Sequence, residues 1–246
     1  MTDLDREIQR RTRRSFLTLG LGAVGAVAGW SWLRSGGGLD GAYPKLQRVL
    51  RFNEDVGEKV LFGKTRLAPE FPLSAVGELR VNGTEGLSEP LDAAAWRLQL
   101  VPRGATDPAR AITIDEIRAL PRTEHITEFK CIEGWSTITR FAGVRLSEFT
   151  RAFAPGSEQA AYVGLVTPDE EYYAGVDMPS ALHPQTLLCY EMNGAPLTEA
   201  HGAPLRLVIP VKYGVKNLKR IGTITYTDAR PADFWAEQGY DYYIGL

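Results

Sequence analysis

Short stretches in which apolar and polar positions alternate recur along the chain: GELRVNG, WRLQLVP, HITEFKC, AAYVGLVT, PLRLVIP and GTITYTD. A period of two predicts half-buried strands of about 4 to 8 residues. The period turns helical in few places. In TIDEIRAL, Thr113 and Glu116 make a capping box and Pro121 ends the helix, and RLSEFTRAF, Arg145 to Phe153, predicts a second. Between Tyr43 and Pro72 no period stands out, and the segment reads as an arm with a short helix, KLQRVLRF. Nearer the N-terminus, Phe16 to Leu33 is an apolar, Gly-rich run of 18 residues, followed by SGGG as a flexible linker. The expected organisation is a leader and linker over 1–38, an arm over 39–72, and one mixed, strand-rich α+β domain over 73–246.

Composition narrows this picture by exclusion. The 246 residues are 44% hydrophobic, enough to bury one full core, and 28 basic against 30 acidic side chains give no nucleic-acid surface. The first fourteen residues hold five Arg and three acids, so a basic leader precedes a mildly acidic domain. Two cysteines exclude a disulfide scaffold and an iron–sulfur cluster held by four thiolates of this chain. P-loop, HExxH, GxSxG and CxxCH patterns are all missing, and GxGxxG spacing occurs only in the leader and linker, at Gly20 to Gly25 and Gly36 to Gly41, outside any strand-to-helix context, which removes the commonest nucleotide, zinc-protease, hydrolase and covalent-haem readings.

The leader narrows the chemistry. Arg13 and Arg14 directly precede Ser15, Phe16 and Leu17, the layout of a twin-arginine export signal, with an ordinary signal anchor as the alternative. Twin-arginine export carries folded proteins, so the expected location is periplasmic, and a cofactor inserted before export would explain the route. AVA ending at Ala28 offers a cleavage site, whereas the apolar run reaches the lower limit of a membrane span, so release and retention as an N-terminal anchor helix both stay open.

Cys131 ends a strand-like run and enters a loop with Glu133, Gly134, Trp135 and Ser136. A buried thiol is one reading and a reactive or ligating group the other. Cys189, in QTLLCYEM, reads as core, and His183 reads as structural. Farther along, HGAPLRLVIP leads into KYGVKNLKRI, with three lysines and an arginine within nine residues. Cations alternating with backbone turns suit a phosphate, with a solvated basic face as the competing reading.

The combination of CIEGW, HP, YEMNG, HGAPLR and YGVKNLK, in that order between about Pro72 and Asp228, closely resembles the molybdopterin-dependent sulfite oxidase superfamily, particularly the branch of periplasmic methionine sulfoxide reductase catalytic subunits. The resemblance implies a sulfite-oxidase-type fold and a molybdenum–molybdopterin cofactor, with Cys131 as the thiolate ligand of the metal. A soft thiolate suits a metal held by dithiolene sulfurs. It further implies cofactor contacts from Asn53, Val56, Gly57, Thr167, His201, Arg206, Asn217, Leu218 and Lys219, with Arg206 and Lys219 on the phosphate. His201 departs from the reductase branch, which carries Asn there, and agrees with sulfite oxidases.

The implied activity is two-electron oxygen-atom transfer to or from a small oxo donor or acceptor. Sulfite oxidases follow their cysteine with basic residues, whereas this chain has IEGWS, which favours a neutral sulfoxide or N-oxide over sulfite. Lys212, Lys216 and Arg140 remain alternative anion donors. Tyr213, as a hydrogen-bond donor, and Trp135 are the candidates for lining the substrate pocket, with core packing as the competing reading for both. Glu133 is a candidate for orienting the loop or moving a proton. With neither a haem motif nor a dimerisation domain in view, the expectation is a monomer that exchanges electrons with a membrane cytochrome b or a c-type cytochrome. The aromatic tail PADFWAEQGYDYYIGL either packs across the site or forms a partner surface. Non-catalytic molybdopterin binding, sulfite oxidation and thiol-based nucleophilic chemistry are the alternatives.

Overall fold

A computed structural model of the chain describes residues 24, 25, 27, 49–63 and 66–245. The chain divides into two compact units, Met1–Phe52 and Asn53–Leu246. In the first, 24, 25, 27 and 49–52 are helical. Most of the leader, including the twin-arginine motif, the cleavage site and most of the expected anchor helix, lies outside the described residues. Among those that are described, no helix is long and apolar enough to cross a membrane.

The second unit is built on two sheets. One has the order β2-β1-β10-β5-β6, from Arg110–Ile112, Leu98–Val101, Thr223–Thr227, Tyr162–Val166 and Tyr173–Asp177. Its strands are antiparallel apart from the parallel pair β1 and β10. The other has the order β3-β4-β7-β8, from Arg122–Lys130, Ser136–Arg145, Leu187–Met192 and Ala195–Pro196, with β9, Arg206–Val208, also pairing with β7. The main core takes side chains from both sheets: Leu98, Leu100, Val163 and Ile224 from the first, Val144, Leu188 and Leu207 from the second. A smaller cluster around Phe141, Leu187, Cys189 and Val208 also takes in Phe129 and Trp135, the residues that flank the Cys131 turn.

Local chemistry accounts for the elements that form. Helix α1, Ile114–Arg118, starts at the expected capping box, with the Thr113 hydroxyl accepting from the Glu116 N–H and the Glu116 carboxylate accepting from the Thr113 N–H. Helix α2, Leu146–Phe153, buries Leu146, Phe149 and Thr150 along one face. Two short helices, α3 (Met178–Ala181) and α4 (Phe234–Glu237), are capped by Asp177 and Asp233. Where β4 meets β7 the register shifts at Ala142/Gly143, and a Cβ on Gly143 would fall 2.0 Å from the Leu188 carbonyl oxygen. Only glycine allows that approach.

The strand expected at GELRVNG does not form. Residues 77–83 run as a loop that buries Leu79 and exposes Val81, and the Asn82 and Gly83 carbonyls accept hydrogen bonds from the Lys219 ammonium rather than from a neighbouring strand. The segment before it is tied to the domain edge. Gln185 exchanges two hydrogen bonds with the backbone of Ala68, and the Phe71 N–H donates to the Ile126 carbonyl.

Candidate active site

Cys131 opens the turn of the β3–β4 hairpin. Its N–H donates to the Trp135 carbonyl at 2.9 Å and its carbonyl accepts from the Gly134 N–H at 3.1 Å, with Gly134 at φ +90°. A left-handed residue closes the turn, which explains the glycine. Alternation along β3 puts Phe129 and Cys131 on one side, lining a cleft of about 100 Å³. Lys130 and Ile132 line a second, larger cleft of about 700 Å³. The thiol is 8% exposed, and the amide nitrogen of Asn82 approaches its sulfur to 3.9 Å.

Chemistry rather than size distinguishes the two clefts. The smaller one is also lined by His201, Arg206 and Lys219, a cluster of cationic and imidazole groups. His201 sits on the turn Glu199–His201 and Arg206 starts β9. The Arg206 guanidinium is 2% exposed and donates to the carbonyls of His201 at 3.2 Å and Asn217 at 3.4 Å, and no carboxylate pairs with it among the described residues. Arg206 Nε and His201 Nδ1 are buried with no hydrogen-bond partner among the described residues. Burial, then the neighbouring Arg206 and Lys219 charges, push the His201 pKa down. Burial, then Arg206, pull the Lys219 pKa down to about 8, against a smaller opposing effect of Glu85. Unpartnered buried donors and mutually destabilised cations fit a bound anion, and a phosphate satisfies both. Together with the thiol on the same cleft, the donor set fits a phosphate-bearing cofactor with a thiolate-ligated metal.

Trp135 also lines this cleft. Its indole N–H donates to the Glu133 carboxylate at 3.0 Å, its ring lies 5.9 Å from Phe129, and the Arg80 guanidinium stands 5.7 Å from it. The Glu133 carboxyl is held below the usual range, first by that indole bond and then by Asn82. Asn217 lines the cleft while its side chain braces the loop, accepting from the Ile209 N–H and donating to the Tyr213 carbonyl. Leu218 is fully buried in the main core and its carbonyl accepts from the Leu207 N–H at 2.8 Å, so neither its side chain nor its carbonyl serves the site. Thr167 does not line the cleft; its hydroxyl is taken up by Asp169 and Tyr172.

Several expected residues are elsewhere. Asn53, Gly57 and Tyr213 line the larger cleft, and Val56, which precedes the turn Gly57–Leu61, lines neither. The hairpin strand separates that segment from the thiol. Lys212 and Lys216 face no anion site: both ammonium groups are buried in ion pairs, with Asp177 and Asp233 respectively. Arg140 pairs with Glu124. Cys189 is fully buried, and burial pushes its thiol up to about 11, as befits a core residue. Of the aromatic tail, Trp235 lines this cleft, whereas Asp241, Tyr243, Ile244 and Gly245 line the larger one. Asn82, Glu85, Arg80, Tyr172 and Trp235 line the cleft without having been singled out in the sequence. The signal for the first two was VNGTEG, an Asn among two glycines at φ +73° and +74°, which marks a turn that brings its asparagine inward.

Comparison with known proteins gives a consistent result. The family model described as an oxidoreductase molybdopterin binding domain matches residues 86–235. A putative protein-methionine-sulfoxide reductase subunit YedZ1 from Azospira oryzae is 34% identical over 99% of this chain and 91% of its own length. A protein-methionine-sulfoxide reductase catalytic subunit MsrP from Campylobacter jejuni is 28% identical over 96% of this chain and 81% of its own. The MsrP of Xanthomonas campestris is 32% identical over 60% of this chain, and the match spans half of that subunit. Among solved structures, the sulfane dehydrogenase SoxCD from Paracoccus pantotrophus is similar with a TM-score of 0.51 at 18% identity, over 58% of this chain and 41% of that one. This last likeness concerns the fold alone and gives it as sulfite-oxidase-like.

Proposed function

The chain belongs to the family of oxidoreductases built on a molybdopterin-binding domain, and from that premise we propose that it is an exported enzyme that reduces a sulfoxide by two-electron oxygen-atom transfer, drawing electrons from a separate haem protein. The observation that carries this reading is one cleft that holds a thiol, Cys131, beside a buried Arg206 and a half-buried Lys219, neither of them ion-paired with a carboxylate among the described residues. The relatives named as protein-methionine-sulfoxide reductases make a methionine sulfoxide side chain the first substrate to try.

In this reading His201, Arg206 and Lys219 hold the cofactor phosphate, and Cys131 supplies the metal's thiolate. The Asn82 amide, already turned towards the sulfur, donates to it. A molybdenum cofactor supplies two-electron oxygen-atom transfer when bound. The chain's own part is to orient the substrate and deliver protons. Trp135 offers an apolar face for a thioether group and Arg80, on the same rim, a donor for the sulfoxide oxygen. Converting a sulfoxide to a thioether and water consumes two electrons and two protons. Glu133, exposed at the rim and bonded to the indole, is the proton carrier.

The twin-arginine leader supports export in the folded, loaded state. The stretch that follows the thiol, with an acidic Glu133 and Trp135 rather than a run of arginines, is a poor receptor for an anion and favours an uncharged sulfoxide. Arg80 is the one feature of the rim that would suit sulfite, so direction belongs in the test. Molybdenum is measured in the exported protein and in Cys131→Ser, and both are assayed with reduced dye against methionine sulfoxide and with ferricyanide against sulfite. The expected result is near-stoichiometric metal, sulfoxide reduction by the wild type and its loss in the variant. Folded, exported protein without molybdenum overturns the reading, and activity confined to sulfite reverses its direction.

A further inference from the structure

The two lysines that face no anion lie on the loop that carries the cofactor residues. Lys216 ends the turn Gly214–Lys216, directly before Asn217, and its ammonium points away from the cleft. It donates to the Gly175 carbonyl at 2.9 Å and to the Asp233 carboxylate, and stands 4.2 Å from the centre of the Tyr242 ring. Side-chain exposure is 2% for Lys216 and 3% for Asp233. The carboxylate has further duties. One oxygen also accepts from the Gly175 N–H at 3.0 Å, and the other caps α4 through the Ala236 N–H at 3.0 Å. Helix α4 carries Trp235, a wall of the cleft. A single buried pair therefore joins the cofactor loop, strand β6 and the helix behind Trp235.

The same loop is held at two further points. The Tyr172 hydroxyl donates to the Val215 carbonyl at 2.6 Å, and Gly214 lies so close to the Phe129 ring of the Cys131 hairpin that a Cβ there would fall 2.6 Å from it. Apolar side chains of the same volume would hold such a junction without the cost of burying two charges. What the ion pair adds is direction: the ammonium bonds fix where Gly214, Val215 and Asn217 stand against the cleft.

We infer that Lys216 and Asp233 are positioning residues for the cofactor, holding the loop 214–219 and the Trp235 helix at the spacing that lets the Asn217 carbonyl brace Arg206 and Lys219 meet the phosphate. The inference rests on the proposed function for the identity of the ligand but concerns a pair outside the cleft. Removal of groups that orient ligating residues weakens binding by about tenfold to a hundredfold.

The test compares wild type, Lys216→Met, Asp233→Asn and the double variant Lys216→Met/Asp233→Leu. Thermal unfolding, molybdenum per chain and sulfate affinity of the cofactor-free protein by calorimetry are measured for each. Lys216→Met alone, which strands a buried carboxylate, is expected to unfold at lower temperature. The double variant is expected to regain part of that stability, short by the α4 cap and the Gly175 bond that leucine does not replace, yet bind sulfate about tenfold or more weakly and carry less molybdenum. A pair that merely fills the core predicts the opposite: the double variant recovers stability and anion affinity together, and that result overturns the inference. If the double variant does not fold, Asp233→Asn decides, because the amide oxygen can keep the helix cap while the NH2 that replaces the other oxygen breaks the bonds to Lys216 and Gly175; unchanged sulfate affinity there overturns the inference as well. A wild type devoid of molybdenum refutes the proposed function, while the sulfate titrations still judge the positioning.

Discussion

Anion binding in the Cys131 cleft should weaken as pH rises past about 8, with Lys219 setting the midpoint. Its ammonium is partly buried beside the Arg206 guanidinium, and burial first, that charge second, lower its pKa to about 8. A bound dianion opposes both effects and moves the value back towards the ordinary ~10.4. The free protein thus gives up its proton near pH 8 while the complex keeps it, so binding above pH 8 requires proton uptake and loses affinity as pH rises. At about pH 9.5, one and a half units above the free value, the limiting loss is ~30-fold; partial solvent screening of Lys219 reduces this to about tenfold, or ~1.4 kcal/mol. Sulfate remains doubly charged throughout, and His201, with its pKa pushed down, stays neutral, so neither adds a slope. The assay is sulfate titration of cofactor-free protein by calorimetry at about pH 7.5 and about pH 9.5 at fixed ionic strength, with Lys219→Met as the control. Equal affinities at the two pH values, or an equal slope in the control, would refute the argument.

Two further expectations concern the scaffold. Thr113→Ala removes both hydroxyl bonds of the capping box at α1 and should lower stability by about 1 kcal/mol, read as a shift in urea midpoint at constant slope. Gly143→Ala drives a methyl group into the Leu188 carbonyl at the β4–β7 bulge and should cost more than about 3 kcal/mol, visible as a large fall in the thermal midpoint.

The fold was legible wherever it is written locally. The capping box of Thr113 and Glu116, the apolar face of α2 and the alternation of β5 and β10 each lie within a few residues, and each forms where the pattern predicts. GELRVNG shows the limit of that reasoning. Its alternation is as regular as that of a real strand, yet its carbonyls are claimed by a lysine more than 130 residues away. Which partner satisfies a backbone group is a tertiary fact that a period of two does not contain.

The site divides in the same way. Cys131, Trp135, His201, Arg206, Asn217 and Lys219 converge on one cleft as the motifs implied, because each is fixed by its own turn or strand end. Asn53 lines the larger cleft, while Asn82, which the sequence reading did not single out, is brought to the thiol by the folded loop. The lysines make the point sharpest. Lys212, Lys216 and Lys219 are equal in sequence, but Asp177 and Asp233, 35 and 17 residues from their partners, neutralise the first two. That leaves Lys219 beside Arg206 in a cleft whose own carboxylate, Glu85, has the weaker hold on it. A buried cation unmatched by its own chain costs folding free energy, and a fold keeps it where a ligand of opposite charge returns that cost on binding. The sign of the charge balance around each lysine, rather than the count of basic residues in the loop, therefore locates the anion site, and it locates it beside the only thiol among the described residues that lines either cleft.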